Sequence, residues 1–221
     1  MIDVYCERIG PGLLAEPLNA VTNASFLIAA WEAWLLASRL GRLSPEVWGL
    51  LALSVAVGIG SGLWHTFATP WAFVLDIVPI LLFLIWLFWL YMRSVVEMPT
   101  PFAMAVIVAF LLTTYVGQEF ADVLHGVLAY IPAFILLLAL GVFHAQHWAA
   151  GRFSLLAAAG VFAIALVFRT LDQEVCPALP IGTHFLWHSL TGLAAYLVMR
   201  CLILRRASRV GIGGEQGVVS T

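Results

Sequence analysis

Three histidines in this chain stand where they could share one metal ion. His184 and His188 are four residues apart, so on a helix they lie on one face, one turn above the other. That is the spacing with which two imidazoles grip a single ion. A third nitrogen from another helix completes a three-ligand zinc site whose fourth position stays open to water, and His65 is the other histidine expected at the same depth. Ser61 precedes His65 by four residues and shares its face. Asp76 arrives from the next helix across a short connection. An H-x-x-x-H pair alone is a weak signal, and a lone intramembrane histidine more often donates a hydrogen bond to a neighbouring helix. Here three histidines, a serine and an aspartate converge on one level, and those residue types together point to metal-assisted hydrolysis.

The elements that must position them follow from composition. The 221 residues are 63% hydrophobic and 10% charged, with mean hydropathy +1.02. A soluble domain carries about a quarter charged residues, so too few are present to build a water-facing surface. Apolar runs bounded by charge, Pro and Gly place seven spans, at 17–38, 46–66, 71–92, 102–119, 124–143, 153–170 and 183–204. Each is near the roughly 20 residues that cross a bilayer core. The expected fold is all-α, a polytopic seven-transmembrane helix bundle forming one domain over 1–206, with a Gly-rich tail at 207–221 expected to be disordered. Pro79 and Pro132 are candidates to kink the third and fifth spans. No internal repeat, linker or second domain is visible. The first sixteen residues hold Asp3, Glu7, Arg8 and Glu16 and no apolar run, so no cleavable signal peptide is expected and the first span acts as its own insertion signal.

All ten basic residues are arginine. Arg39, Arg42, Arg93, Arg152, Arg200, Arg205, Arg206 and Arg209 fall on one side of the spans, Arg8 and Arg169 on the other, and nothing resembles a basic nucleic-acid patch. The positive-inside rule makes the eight-arginine side cytoplasmic, with the N-terminus outside and the C-terminus inside. Short loops and small size suit a bacterial inner-membrane protein. Asp3, Glu7, Glu16, Asp76, Glu119, Asp122, Asp172 and Glu174 gather toward the outer side, either as a solvated rim or as cation ligands. Glu32, Glu46, Glu97 and Glu215 are the exceptions. Cys6 and Cys176 are both outer, in a compartment that permits a disulfide, but sequence alone does not bring their sulfurs together. Cys201 maps to the inner end of the seventh span. His144 and His147 are expected to be solvated beside Arg152, and His125 to cap an outer loop near Asp122 and Glu119.

At these residues the sequence resembles the alkaline ceramidase family, part of a superfamily of seven-helix membrane hydrolases that includes adiponectin-type receptors. Cys6-Glu7, Glu16-Pro17-Leu18-Asn19 and Thr22-Asn23 are similar to that family's opening segment. Gly60-Ser61 with His65, Asp76 and Pro79 is similar to its Ser–His–Asp stretch. Asp172, Cys176 and His184-Phe185-Leu186-Trp187-His188 with Thr191-Gly192 are similar to its closing motif. The resemblance covers most of the chain. It implies zinc held by His65, His184 and His188, Asp76 on the reacting water with Ser61 close by, and an outer disulfide between Cys6 and Cys176. It also implies a structural calcium ion at Asp3, Glu7, Glu16 and Asn19. There the sequence departs from the family: Asp3 stands one position early, Arg8 or Ile9 fills a later ligand position, and the gap between the two glutamates is shorter.

The implied function is zinc-dependent cleavage of the amide of ceramide or another N-acyl lipid into a fatty acid and an amine base. Trp64 and Trp187 would help line an apolar pocket for the chains. The competing readings are a non-enzymatic receptor or transporter using the same histidines, and bis-histidine haem ligation. Transport would favour ionisable groups spread through the membrane depth, whereas here they gather at one end.

Overall fold

The structure, a computed structural model, describes residues 4–8, 10 and 12–215, with side chains through Ser208. In chain order the elements are α1 (Pro17–Thr22), α2 (Ala24–Arg39), α3 (Pro45–Phe67), α4 (Pro70–Ser94), α5 (Thr100–Glu119), a 3-10 segment (Val123–Tyr130), α6 (Ile131–His147), α7 (Ser154–Val175) and α8 (His184–Glu215). The pair α1–α2 makes one membrane span, and the 3-10 segment with α6 makes another. Among the described residues there are seven helical segments long and apolar enough to cross a bilayer.

Local sequence explains where the helices start. Proline occupies the first turn of α1, α3, α4, α5 and α6, where its missing N–H costs nothing and its fixed φ suits the helix. Ser44 caps α3, its hydroxyl accepting from the Val47 N–H at 3.4 Å. Pro132 is therefore a starter and not a kink: it sits in the first turn of α6. Pro79 does lie inside α4, which continues past it. The fifth span does not begin as an α-helix at residue 124, because Leu124, His125 and Gly126 all have positive φ (52°, 52° and 78°). An apolar run reports burial and does not report backbone handedness. The eighth helix continues beyond residue 207 to Glu215; residues 216–221 of the expected tail lie outside the described residues.

Helix association within lipid depends on close packing of small side chains, since lipid tails are as apolar as Leu. Ala29, Ala33 and Ala37 of α2 are buried and form a four-residue-period stripe, and α2 packs on both α3 and α8. The α3–α4 and α7–α8 pairs run side by side. The alternation of helix direction brings the C-terminal ends of α3, α5 and α7 beside the N-terminal ends of α1, α4 and α8. This end of the bundle, here the head, carries Arg8, Arg169 and the three candidate ligand histidines. Arg39, Arg42, Arg93, Arg152, Arg200, Arg205 and Arg206 belong to the opposite end.

Of the other histidines, His144 differs from expectation and His125 has a specific partner. His144 is fully buried and not solvated. Its Nε2–H donates to the Ala150 carbonyl at 2.8 Å and its Nδ1 accepts from the Tyr91 hydroxyl. The chain after α6 folds back over its last turn and closes the imidazole in. His125 pairs with Glu174 at 3.3 Å, both exposed, and not with Asp122 or Glu119.

Candidate metal centre

His65 stands at the last turn of α3, and His184 and His188 occupy the first two turns of α8. One ring nitrogen from each lies within 4.8 Å of the others. The ring centroids are 5.2 Å apart for His65–His184, and 4.6 Å for both His65–His188 and His184–His188. All three are buried.

The hydrogen bonds around the triad fix which nitrogens are free. His65 Nδ1–H donates to Glu16 Oε2 at 2.5 Å, leaving Nε2 with a lone pair. The Thr22 hydroxyl gives its proton to the Leu18 carbonyl at 2.7 Å. At 3.2 Å from His188 Nδ1 it is therefore an acceptor, and His188 Nε2 is likewise free. His184 Nδ1 is buried with no hydrogen-bond partner. His65 and His188 thus have Nδ1 tied and Nε2 open, and His184 offers an unpartnered Nδ1, a donor set that suits a three-histidine metal site with the carboxylate–histidine pair as its outer support. The residues fit a divalent transition metal.

Several segments converge to hold these rings. Glu16 takes Arg8 Nε on its other oxygen, and Arg8 Nη2 donates to the His65 carbonyl at 2.9 Å. Asp172, near the end of α7, accepts the Thr183 and His184 backbone N–H groups on Oδ1 (2.7 and 2.9 Å) and the Cys6 N–H on Oδ2 (3.1 Å). One carboxylate thus caps α8 at the ligand histidine and anchors the N-terminal segment. Gly182 makes this approach feasible: φ is +62°, and a Cβ there would run into Asp172. Cys6 and Cys176 are joined by a disulfide with a Cα–Cα distance of 5.3 Å, which holds Tyr5 against the site. The Tyr5 ring stacks on His184 at 3.9 Å. Burial pushes its phenol up to about 12, so it presents a neutral hydroxyl at ordinary pH.

Asp76 enters from α4, its Oδ1 buried and unpartnered, its carboxyl facing Ser61 and Arg169. The proximity of Ser61 and Asp76 depends on Gly60, where any Cβ would collide with the Leu75 carbonyl. The two helices touch backbone to backbone at that point. Ser61, His65, Asp76, His184 and His188 all line one cavity of about 220 Å³ that continues between apolar side chains to Phe88, Leu137 and Val198. Trp187 lines this cavity too. Trp64 instead borders a wider vestibule at the head of about 940 Å³, formed with Val4, Tyr5, Gln118 and Arg169.

The expected calcium residues are otherwise engaged. Glu7 accepts the Leu18 and Asn19 N–H groups (2.7 and 2.8 Å). Glu16 is taken by Arg8, His65 and Asn19, the last through Nδ2 at 3.1 Å. Burial raises both carboxyls above their usual range, opposed by these donors. Asp3 lies outside the described residues.

The support provided by Thr22, Tyr5 and Arg169 did not stand out in the sequence. Arg169 carried a signal, since an arginine inside an apolar run is itself a functional-site hypothesis. Tyr5 carried none, because its role comes from a disulfide that folds the N-terminal segment back over the helices.

A family model described as Ceramidase matches residues 5–216. No curated protein matches the chain.

Proposed function

The chain belongs to the ceramidase family, and on that premise we propose that it is a zinc-dependent intramembrane amidohydrolase. It cleaves the amide of ceramide or a related N-acyl lipid to a fatty acid and an amine base. The supporting observation is the convergence of His65, His184 and His188 nitrogens within 4.8 Å, beside Asp76 and Ser61, at one end of an apolar cavity.

His65, His184 and His188 would hold the zinc, which when bound would supply an acidified water, with a pKa of about 7, and Lewis-acid polarisation of a carbonyl. Glu16 and Thr22 hold the ligand rings in the tautomer that offers Nε2. Asp76, which lines the same cavity as the three histidines, would accept the proton of the attacking water and return it to the departing amine nitrogen. The Ser61 hydroxyl, which bonds to Asp76, would turn to donate toward the carbonyl oxygen as it gains charge. The acyl chain lies among the apolar side chains of the cavity. Water adds across the C–N bond, so one amide and one water give one carboxylic acid and one amine.

Three imidazole nitrogens gathered within 4.8 Å would suit a single ion of the kind zinc sites hold, and this three-donor grouping favours zinc over a bis-histidine haem. We read the N-terminal carboxylates as organised by Arg8 and not by calcium, since Arg8 supplies the positive charge at Glu16 and backbone N–H groups occupy both oxygens of Glu7. The arginine distribution supports an extracytoplasmic head.

Metal analysis of the purified protein, followed by incubation with a panel of N-acyl lipids and mass spectrometry of the products, tests this reading. About one zinc per chain and released fatty acid are expected, both lost in His188→Ala. Full turnover by metal-free protein would overturn it.

A further inference from the structure

Arg169 is an ionised side chain within a membrane-spanning helix that has no carboxylate within ion-pair distance among the described residues. Its Nε is buried without a hydrogen-bond partner. Asp76 faces it across the cavity beyond ion-pair distance; Asp172, one turn on, has given its oxygens to three backbone N–H groups, and Asp122 at the vestibule rim is exposed. The guanidinium is held over the rings of Tyr130 (5.0 Å) and Trp187 (5.3 Å), and Tyr5 bonds to it. Aromatic faces fix such a plane in orientation without neutralising its charge. A cation kept at this depth with no carboxylate in ion-pair contact is a binding feature by default, and a guanidinium fork suits a planar or tetrahedral oxyanion.

Its position indicates which part of a ligand would meet it. Arg169 lines both the apolar cavity and the vestibule, with Tyr5, Phe73, Gln118 and Gly126 as the other shared residues. Away from that neck the cavity follows α8 from His184 to Val198, a rise of about 21 Å at ~1.5 Å per residue, which suits an acyl chain. With the carbonyl at the triad and the chain in the cavity, the amine half of the lipid points toward the neck.

We propose that Arg169 anchors an anionic group on the amine half of the substrate, so that the protein selects N-acyl lipids bearing a carboxylate or similar oxyanion close to the amide, N-acyl amino acids being the simplest class, over neutral ceramide-like amides. This rests on the amidohydrolase reading of the adjoining triad.

A matched pair tests it: N-palmitoylglycine and N-palmitoylethanolamine have the same chain and amide and differ in charge. Calorimetric titration of zinc-stripped, detergent-solubilised protein gives binding without turnover, and zinc-loaded protein gives KM for each lipid. The anionic lipid is expected to bind roughly ten- to hundredfold more tightly, as a charge-assisted hydrogen bond would give. Arg169→Gln is expected to abolish that preference, and Arg169→Lys to retain part of it. Equal binding of the two lipids by the unaltered protein overturns the inference, as does a preference that survives Arg169→Gln. Palmitic acid forms a third arm: if only its binding depends on Arg169, the anion is the released product and the assignment to the amine half is wrong. Charge preference without hydrolysis of either lipid would sink the amidohydrolase reading while leaving the anion anchor, and hydrolysis of both without preference would do the reverse.

Discussion

Glu16 Oε2 lies 2.5 Å from His65 Nδ1, so a carboxylate at the very start of the first span sets which nitrogen of an imidazole on α3 faces the metal centre. Glu16→Gln keeps the shape and removes the charge that favours Nδ1–H. Zinc affinity should fall by about ten- to a hundredfold, the usual effect of losing an outer-shell partner of a ligand histidine. Competition with a chelator of known affinity measures it, and unchanged affinity would remove Glu16 from the metal's support.

Asp76→Asn separates chemistry from metal binding. The side chain is not among the three clustered ligands, so zinc content should stay near one per chain. Turnover should drop by about 10²–10⁴, as expected when a general acid–base is removed. Retained turnover would assign the proton transfer elsewhere.

Arg8 and Glu16 are both buried, 4% and 3% exposed. Arg8→Ala leaves Glu16 without its cation, a change that costs about 3–5 kcal/mol when a buried pair is broken. A lowered thermal midpoint is expected, whereas a calcium-selective chelator should leave the midpoint of the unaltered protein where it was. A large shift on chelation would restore calcium to the N-terminal carboxylates.

Asp172→Ala removes three acceptor contacts at once. The lost cap on α8 alone should cost about 1–2 kcal/mol. Because the same carboxylate holds the Cys6 N–H, faster hydrogen exchange is expected in residues 4–8 as well as at Thr183 and His184. Exchange confined to one of those segments would show that they are not coupled through Asp172.

Much of the architecture was readable because lipid imposes simple rules. Span lengths follow bilayer thickness, arginines mark one end, and an i, i+4 histidine pair can face only one way. Those rules also bring His65 to the level of His184 and His188. What could not be read depends on long-range closure. Glu16 drew attention only as part of an implied calcium set, and no local pattern announces the ion pair it forms with Arg8 across a loop. His144 looked solvated because it follows an apolar run near Arg152, while its burial comes from the chain turning back over α6. The positive φ values at 124–126 left no mark in an apolar stretch.

The contact between Cys6 and Asp172 spans 166 residues, and the three clustered histidines come from the second and the seventh of the membrane-spanning segments. Early in translation the chain carries His65 alone, which cannot retain an ion by itself. The centre is completed only when the final helix has entered the membrane and the N-terminal segment has closed over it. A chain that stops short of residue 184 therefore lacks two of the three clustered imidazoles and cannot assemble the candidate centre.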